Sequence, residues 1–133
     1  MATRSNRPLL GRPWVAVAVG GLIGAAARLG VVRLIGTAAG EFPWVTLAVN
    51  LVGSFLLGLY LARRERAVAQ ESSIPFWAIG VLGSFTTFSA FSLDVVFLIE
   101  AGRGIVAGGY VVASVIGGLT VAALGERLGS VTG

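Results

Sequence analysis

The sequence predicts an all-α integral membrane protein with four transmembrane helices, the third of them broken. Of its 133 residues, 56% are hydrophobic and only 12% are charged, and the mean hydropathy is +0.90. The apolar residues are gathered into four long segments, which short polar stretches separate. Inside the third segment, glycines and hydroxyl side chains replace the Leu, Ile and Val that would serve a helix surrounded only by lipid.

The composition argues against several other classes of protein. A soluble domain of this size would leave most of that apolar surface in water. The chain has no Cys and no His, which excludes disulfides, thiolate and imidazole metal sites and His-based acid–base chemistry. Its net charge of +4 comes from arginines beside apolar segments, which membrane topology explains better than nucleic-acid binding does. With no catalytic nucleophile or carboxylate pair evident, we expect neither an enzyme nor a nucleic-acid partner.

Each apolar segment is close to the ~20 residues that a helix needs to cross the hydrocarbon core. The predicted spans are 14–35, 43–62, 75–99 and 105–124. Short connections predict antiparallel neighbours, and the charged connection 63–74 is expected to be solvated. No internal repeat is visible, so residues 1–133 are predicted to form a single four-helix domain.

The first span begins with residues typical of the membrane interface and contains arginines within its apolar run. It begins at Pro13 and Trp14, a favourable helix start with an interfacial aromatic residue. Arg28 lies inside the span, where its side chain would either extend to the interface or form a positive mouth for an anion pathway. Arg33 lies nearer the end and is expected only to extend to the interface.

Small residues recur at helical spacing in three of the spans. Such faces let helix backbones approach closely in lipid, and packing is the expected role of most of the 20 glycines. Four helices of this length enclose little volume, so a pathway through the protein would need a dimer to complete its walls. The small faces are formed by Gly20, Gly21 and Gly24, by Ser54 and Gly58, and by Gly104, Gly108 and Gly109.

Polar side chains lie at depth in the later spans. Asn50 is near the middle of the second span, where a bond between helices is the commonest use of an Asn amide. Asp94 is the sole acid within a predicted span and lies near its end, which favours a pairing or interfacial role over a proton relay. Tyr110 and Ser114 share one face of the fourth span, and Thr120 follows. Such hydroxyls can also bond to their own helix.

The third span carries the strongest signal. Gly83 and Ser84, followed by Thr86 and Thr87, should weaken the helix at mid-membrane. A broken helix exposes carbonyl groups that need a partner, water or a cation, and Na⁺ suits such oxygens.

Two phenylalanines follow this weak point. Phe88 and Phe91 are three residues apart, so both rings project from one face. The spacing alone favours ordinary core packing. An aromatic ring nevertheless has a positive edge, and two edges in a narrow passage would attract a small anion.

Three stretches together resemble the Fluc/CrcB family of fluoride channels. Residues 80–94, GVLGSFTTFSAFSLD, are similar to the third-helix pattern GxxGGxTTFSTFSxE. Residues 46–58, TLAVNLVGSFLLG, and 20–28, GGLIGAAAR, are similar to TxxxNxxGSFxxG and GGxxGAxxR. The resemblance covers all four spans in order, the fourth more loosely. The departures are Ser84 for a usual glycine, Ala90 for a usual threonine and Asp94 for a usual glutamate.

The resemblance implies a fluoride-specific channel in the cell (inner or plasma) membrane, which passively lowers cytoplasmic fluoride. Members of the family are antiparallel, dual-topology dimers with two pores and one central Na⁺, which is structural and not transported. By this resemblance, backbone carbonyls of Gly83 and Thr86 from both subunits would hold the Na⁺.

The resemblance also implies a fluoride pathway. The rings of Phe88 and Phe91 would line it edge-on, Asn50 would donate to the ion, and Arg28 would lie in a vestibule. The further candidates for its polar track are Thr87, Ser89, Tyr110, Ser114 and Thr120.

Two other functions remain open. A proton-coupled transporter like the small multidrug-resistance proteins also has four helices, but it needs a carboxylate in the first helix, where this chain has arginine. A non-transporting membrane assembly subunit would explain the glycines, but not the TTFS run together with Asn50.

The arginines also bear on orientation. Most lie on the side that holds both termini, whereas a dual-topology protein should show little bias. The chain would therefore form either a homodimer that tolerates the bias, which we favour, or a heterodimer with an oppositely oriented homologue. The arginines assigned to the terminal side are Arg4, Arg7, Arg12, Arg63, Arg64, Arg66 and Arg127.

Overall fold

The computed structural model describes residues 13–36, 41–66 and 73–131, and their regular structure is helical. In chain order the elements are α1 (Pro13–Ile35), α2 (Trp44–Arg66), the π-helix π1 (Pro75–Leu82), the short α3 (Gly83–Phe85), α4 (Phe88–Glu100) and α5 (Gly104–Val131). Four spans of these described residues are long and apolar enough to cross a membrane, and the third comprises π1, α3 and α4. The predicted membrane class and the broken third helix are therefore confirmed.

Two helices continue beyond the apolar segments that defined them in the sequence. The second ends at Arg66 rather than Ala62, and the fourth span ends at Val131 rather than Leu124. Arg, Glu and Leu are good helix formers, so the charged ends remain helical. The start of the connection 63–74 is thus helical, and residues 67–72 lie outside the described part, as do Arg4, Arg7 and Arg12.

Helix α1 packs against the first half of the third span through glycine. Gly20 and Gly24 are its buried residues, and a Cβ on Gly24 would overlap the carbonyl of Val81. From the other side, a Cβ on Gly80 would lie 2.9 Å from Gly20 Cα. This close backbone approach confirms the small-residue face expected of α1.

A second glycine contact joins α2 to α5. A Cβ on Gly58 would overlap the carbonyl of Ala122, and a Cβ on Gly125 would overlap the carbonyl of Phe55. The sequence did not single out Gly125. The glycines expected to pack at the start of α5 do not pack within the described residues, because nothing lies within 4 Å of a Cβ built on Gly104, Gly108 or Gly109.

A small core joins α2, α4 and α5 beyond the break. Its buried residues are Leu47, Leu98, Ala107 and Tyr110, and Phe42 and Phe91 are among the partly buried side chains that pack around them. The core thus anchors the second half of the third span to the start of the fourth span.

Candidate functional site

Two consecutive threonines form the break in the third span. Thr86 (φ −72°, ψ 157°) and Thr87 (φ −148°, ψ 117°) are extended. The hydroxyl of Thr86 donates to the carbonyl of Leu82 over 3.0 Å and so bonds back to the ending helix. The hydroxyl of Thr87 accepts from the backbone N–H of Ala90 over 3.1 Å and caps the start of α4. One threonine therefore ends a helix and the next begins one.

Asn50 holds this break from α2. Its Oδ1 accepts from the backbone N–H of Thr87 over 2.8 Å, and its Nδ2 donates to the carbonyl of Thr87 over 3.1 Å. The amide thus satisfies both backbone groups of one residue and retains a second N–H. Because the Thr87 N–H is directed to Asn50, the carbonyl of Gly83 loses the helical donor four residues further on.

Arg28 holds the break from α1. Its Nε donates to the carbonyl of Ser84 over 3.2 Å in partly buried surroundings. The carbonyl at the end of a helix has no donor within that helix, so a guanidinium N–H satisfies it well. The sequence left open whether Arg28 extends to the interface or forms a positive mouth, and it did not predict this bond.

A cavity of ≈ 350 Å³ lies beside the break. None of the described residues that line it is charged. The hydroxyl of Ser114 is buried and has no hydrogen-bond partner among the described residues. Phe88, in contrast, is 79% exposed, so the cavity has an uncovered side. The predicted site residues in its lining are Asn50, Gly83, Thr86, Thr87, Phe88, Phe91 and Ser114.

A row of aromatic rings leads from this cavity into the core. Phe88 and Phe91 have ring centroids 5.7 Å apart, and Phe91 and Tyr110 have theirs 5.3 Å apart. Tyr110 is fully buried, and its hydroxyl donates to Asp94 Oδ2 over 3.3 Å. Phe91 therefore both lines the cavity and packs on the core, whereas Phe88 is largely uncovered.

The remaining candidates for the polar track lie outside the cavity lining. Ser89 is exposed, with its Oγ 3.1 Å from Thr87 Oγ1. Thr120 is exposed too, and its hydroxyl donates to the carbonyl of Ile116 in its own helix over 2.7 Å. Tyr110 lies in the core. The described residues contain no group of three or more His, Cys, Asp and Glu side chains that could hold a metal ion.

Comparison with known proteins assigns the chain to a family. The family model for CrcB-like proteins, described as Camphor Resistance (CrcB), matches residues 15–126. The chain belongs to the CrcB family. Two of its relatives are called fluoride-specific ion channel FluC. The relative from Mesorhizobium japonicum is 46% identical over 82% of this chain and 89% of its own length. The relative from Deinococcus radiodurans is 43% identical over 88% of this chain and 94% of its own length.

With four spans, this CrcB chain is a multi-pass membrane protein.

The sequence analysis did not predict two features of the site. Gly53 is buried where a Cβ would overlap Cγ2 of Thr86, so the glycine of the second-span motif makes room for the break. The first half of the third span is a π-helix, in which the N–H of Gly83 bonds to the carbonyl of Ala78 five residues back. The run from Pro75 to Leu82 gives no periodic signal that separates a π-helix from an α-helix.

Proposed function

We propose that this CrcB chain is a fluoride-specific channel through which a cell passively loses fluoride. The observation that carries the proposal is the cavity at the break, which is lined by Asn50, Phe88, Phe91 and Ser114. The hydroxyl of Ser114 has no hydrogen-bond partner among the residues that the structure describes. These groups offer N–H, O–H and ring-edge donors without a full positive charge.

Such weak donors suit the conduction of a small anion. Fluoride must exchange its hydration shell for donors in the protein, yet it must not be held so firmly that it cannot leave. The second N–H of Asn50 and the hydroxyl of Ser114 would donate, and Phe88 and Phe91 would present ring edges. Hydrogen fluoride enters a cell as the neutral acid and ionises in the cytoplasm, and the membrane potential then drives the anion out. The family resemblance also predicts contributions from Arg28, Thr87, Ser89, Tyr110 and Thr120. Thr120 is the weakest of these candidates, because its hydroxyl is bonded to the carbonyl of Ile116 in its own helix.

The walls of the cavity need a second subunit. Phe88 is 79% exposed and Ser89 is exposed beside it, so one chain leaves its own pathway uncovered. We propose an antiparallel dimer in which each copy covers the break of the other and two equivalent pathways form. A homodimer requires only this chain, and it is the arrangement that we favour over a heterodimer with an oppositely oriented homologue.

A structural Na⁺ would fit the breaks of two such chains. The carbonyl of Gly83 lacks its helical donor because the Thr87 N–H bonds to Asn50. Thr86 has left the helix, with ψ at 157°. Unwound backbone carbonyls are oxygen ligands that suit Na⁺. Gly83 and Thr86 from both copies would hold the ion, whose charge would offset the carbonyl dipoles where the two breaks meet. Ion-substituted crystals measured for anomalous scattering should show four carbonyl oxygens around one site, and water-like density with two partners would contradict the assignment.

Efflux from liposomes tests the function directly. Purified protein in liposomes loaded with fluoride should release it rapidly when a counter-ion pathway is opened, and liposomes loaded with chloride should retain their content. Empty liposomes provide the background rate. Efflux that requires a proton gradient would favour the transporter alternative, and no efflux of either anion from correctly folded protein would favour the non-transporting subunit.

The orientation of the chain is tested in intact cells. A tag on the C-terminus should be accessible from outside on roughly half of the molecules if one chain supplies both orientations. A single orientation, with efflux only when a homologue is co-expressed, would indicate the heterodimer. A single orientation with full efflux from this chain alone would contradict the antiparallel dimer.

A further inference from the structure

We propose that Phe42 is a positioning residue for the ion pathway, acting on it through Tyr110 and Phe91. The inference rests on the proposed channel function and adds to it a residue outside the cavity and outside the family motifs quoted above. Phe42 lies just before α2, and its carbonyl accepts the backbone N–H of Trp44 over 2.8 Å. Its position is therefore fixed by the start of that helix.

The ring of Phe42 meets Tyr110 nearly at a right angle. Their centroids are 5.6 Å apart and their planes are inclined by 83°, the edge-to-face arrangement that aromatic rings favour. Trp44 packs on Phe42 at 4.3 Å and supports it further. Tyr110 is held at its hydroxyl end by Asp94 and on its ring by Phe42 and Phe91.

This arrangement connects Phe42 to the cavity. Phe91 lines the cavity and rests on Tyr110 at 5.3 Å with an inclination of 40°. The tilt of the Phe91 ring decides whether its edge or its face points towards an ion. Without the ring of Phe42, Tyr110 could shift into the vacated volume, and Phe91 would lose the surface that sets its tilt. Interiors are densely packed, so such a shift propagates to the next ring.

The test compares two aromatic pairs of the same kind. Phe42→Leu removes the ring that packs on Tyr110. Phe76→Leu is the matched control, because Phe76 forms an edge-to-face pair with Trp77 (4.9 Å, 90°) at the start of the third span, and neither ring lines the cavity. Phe42→Tyr keeps the ring and serves as the conservative replacement. Fluoride efflux, chloride leakage and the melting midpoint are measured for the wild type and each variant in liposomes or detergent.

We expect Phe42→Leu to lower fluoride efflux by about two- to tenfold, the range that one lost edge-to-face pair corresponds to, and to raise chloride leakage relative to fluoride. The fluoride efflux rates of Phe42→Tyr and Phe76→Leu should remain within about twofold of the wild-type rate. If Phe42→Leu does not assemble, Phe42→Met, which fills the space without a ring, replaces it.

Several outcomes would overturn the inference. One is fluoride efflux at the wild-type rate from Phe42→Leu, and another is a loss of efflux in Phe42→Tyr or Phe76→Leu as large as that in Phe42→Leu. A third is a loss of efflux in Phe42→Leu with an unchanged preference for fluoride over chloride and a matching fall in the melting midpoint. A wild-type protein that releases no fluoride would instead refute the proposed function, so the two failures are distinguishable.

Discussion

The two halves of the third span are held in different ways. The first half, π1 and α3, lies backbone to backbone against α1, with Gly20, Gly24 and Gly80 at the contact. The second half, α4, is anchored by side chains, with Leu98 buried in the core and Phe91 packed around it. Phe88 at the start of α4 is 79% exposed. The break thus joins a half that is held by backbone contact with α1 to a half that is held by side chains and begins at an exposed phenylalanine.

This difference explains why the break needs bonds from other helices. A helix interrupted in the membrane leaves backbone groups without donors or acceptors, each of which is costly in hydrocarbon. Arg28 satisfies the carbonyl of Ser84 before the break, and Asn50 satisfies both backbone groups of Thr87 just before α4. The two polar residues that the sequence placed at depth in α1 and α2 therefore meet at one structural feature.

The largest effect should come from disturbing the contact between α1 and the first half of the third span. Gly24→Val would place side-chain atoms against the carbonyl of Val81, and backbone on both sides leaves no flexible atom to move. We expect little folded protein, or a melting midpoint far below that of the wild type, by size-exclusion chromatography and thermal unfolding in detergent. Gly30→Val is the matched control in the same helix, since no atom of the described residues lies within 4 Å of a Cβ at Gly30. Equal behaviour of the two variants would show that the contact is not tight.

The next largest effect concerns the bond across the break. Asn50→Asp keeps an acceptor for the Thr87 N–H but removes the donor to its carbonyl and brings a possible negative charge to the cavity. Fluoride efflux should nearly vanish. Tyr60→Phe removes another side-chain hydrogen bond, the 2.9 Å contact with Ser73, and should conduct normally. Normal efflux from Asn50→Asp would mean that the amide serves only to join helices.

Substitutions of Phe88 and Phe91 should affect conduction similarly but stability differently. If both rings act through their edges, Phe88→Ile and Phe91→Ile should each reduce fluoride efflux severely. Phe91 packs on both Phe88 and Tyr110, whereas Phe88 is largely exposed and packs on Phe91. Phe91→Ile should therefore lower stability more than Phe88→Ile does, by about 0.5–1.5 kcal/mol for the lost pair with Tyr110. Melting midpoints and efflux rates measured on the same preparations check both parts. Unchanged efflux in both variants would mean that the two rings serve only in packing.

The sequence predicted the four spans and the break well, because hydropathy and backbone propensity are local properties. The family resemblance also assigned Asn50, Phe88, Phe91 and Ser114 to one pathway, and in the structure all four line the same cavity. The sequence could not predict that Asn50 pairs with the backbone of Thr87, because 37 residues separate them and the register of α2 against the break decides the contact. The same holds for Arg28 and Ser84, which are 56 residues apart.

The glycines teach the same lesson. Gly24 and Gly108 look alike in the sequence, since each belongs to a run of small residues at helical spacing. In the fold, Gly24 meets the backbone of Val81, whereas a Cβ on Gly108 would meet nothing within 4 Å among the described residues. Spacing shows which helix face can pack closely, but only the arrangement of the neighbouring helices shows which face does.

The smallest effects are expected at Ser114 and Thr120, two residues of the fourth span that the family resemblance assigns to the polar track. The buried hydroxyl of Ser114, beside the cavity, has no hydrogen-bond partner in the described part of the chain, and an unsatisfied buried group costs about 1–3 kcal/mol. Ser114→Ala should therefore reduce fluoride efflux while leaving the melting midpoint unchanged or slightly higher. Thr120 is exposed and its hydroxyl is already bonded to Ile116, so Thr120→Val should change neither quantity. Efflux rates and melting midpoints of both variants decide the matter. A loss of efflux in Thr120→Val as large as in Ser114→Ala would place Thr120 on the pathway, as the family resemblance predicts, and would mean that a second subunit brings the ion to that face of α5.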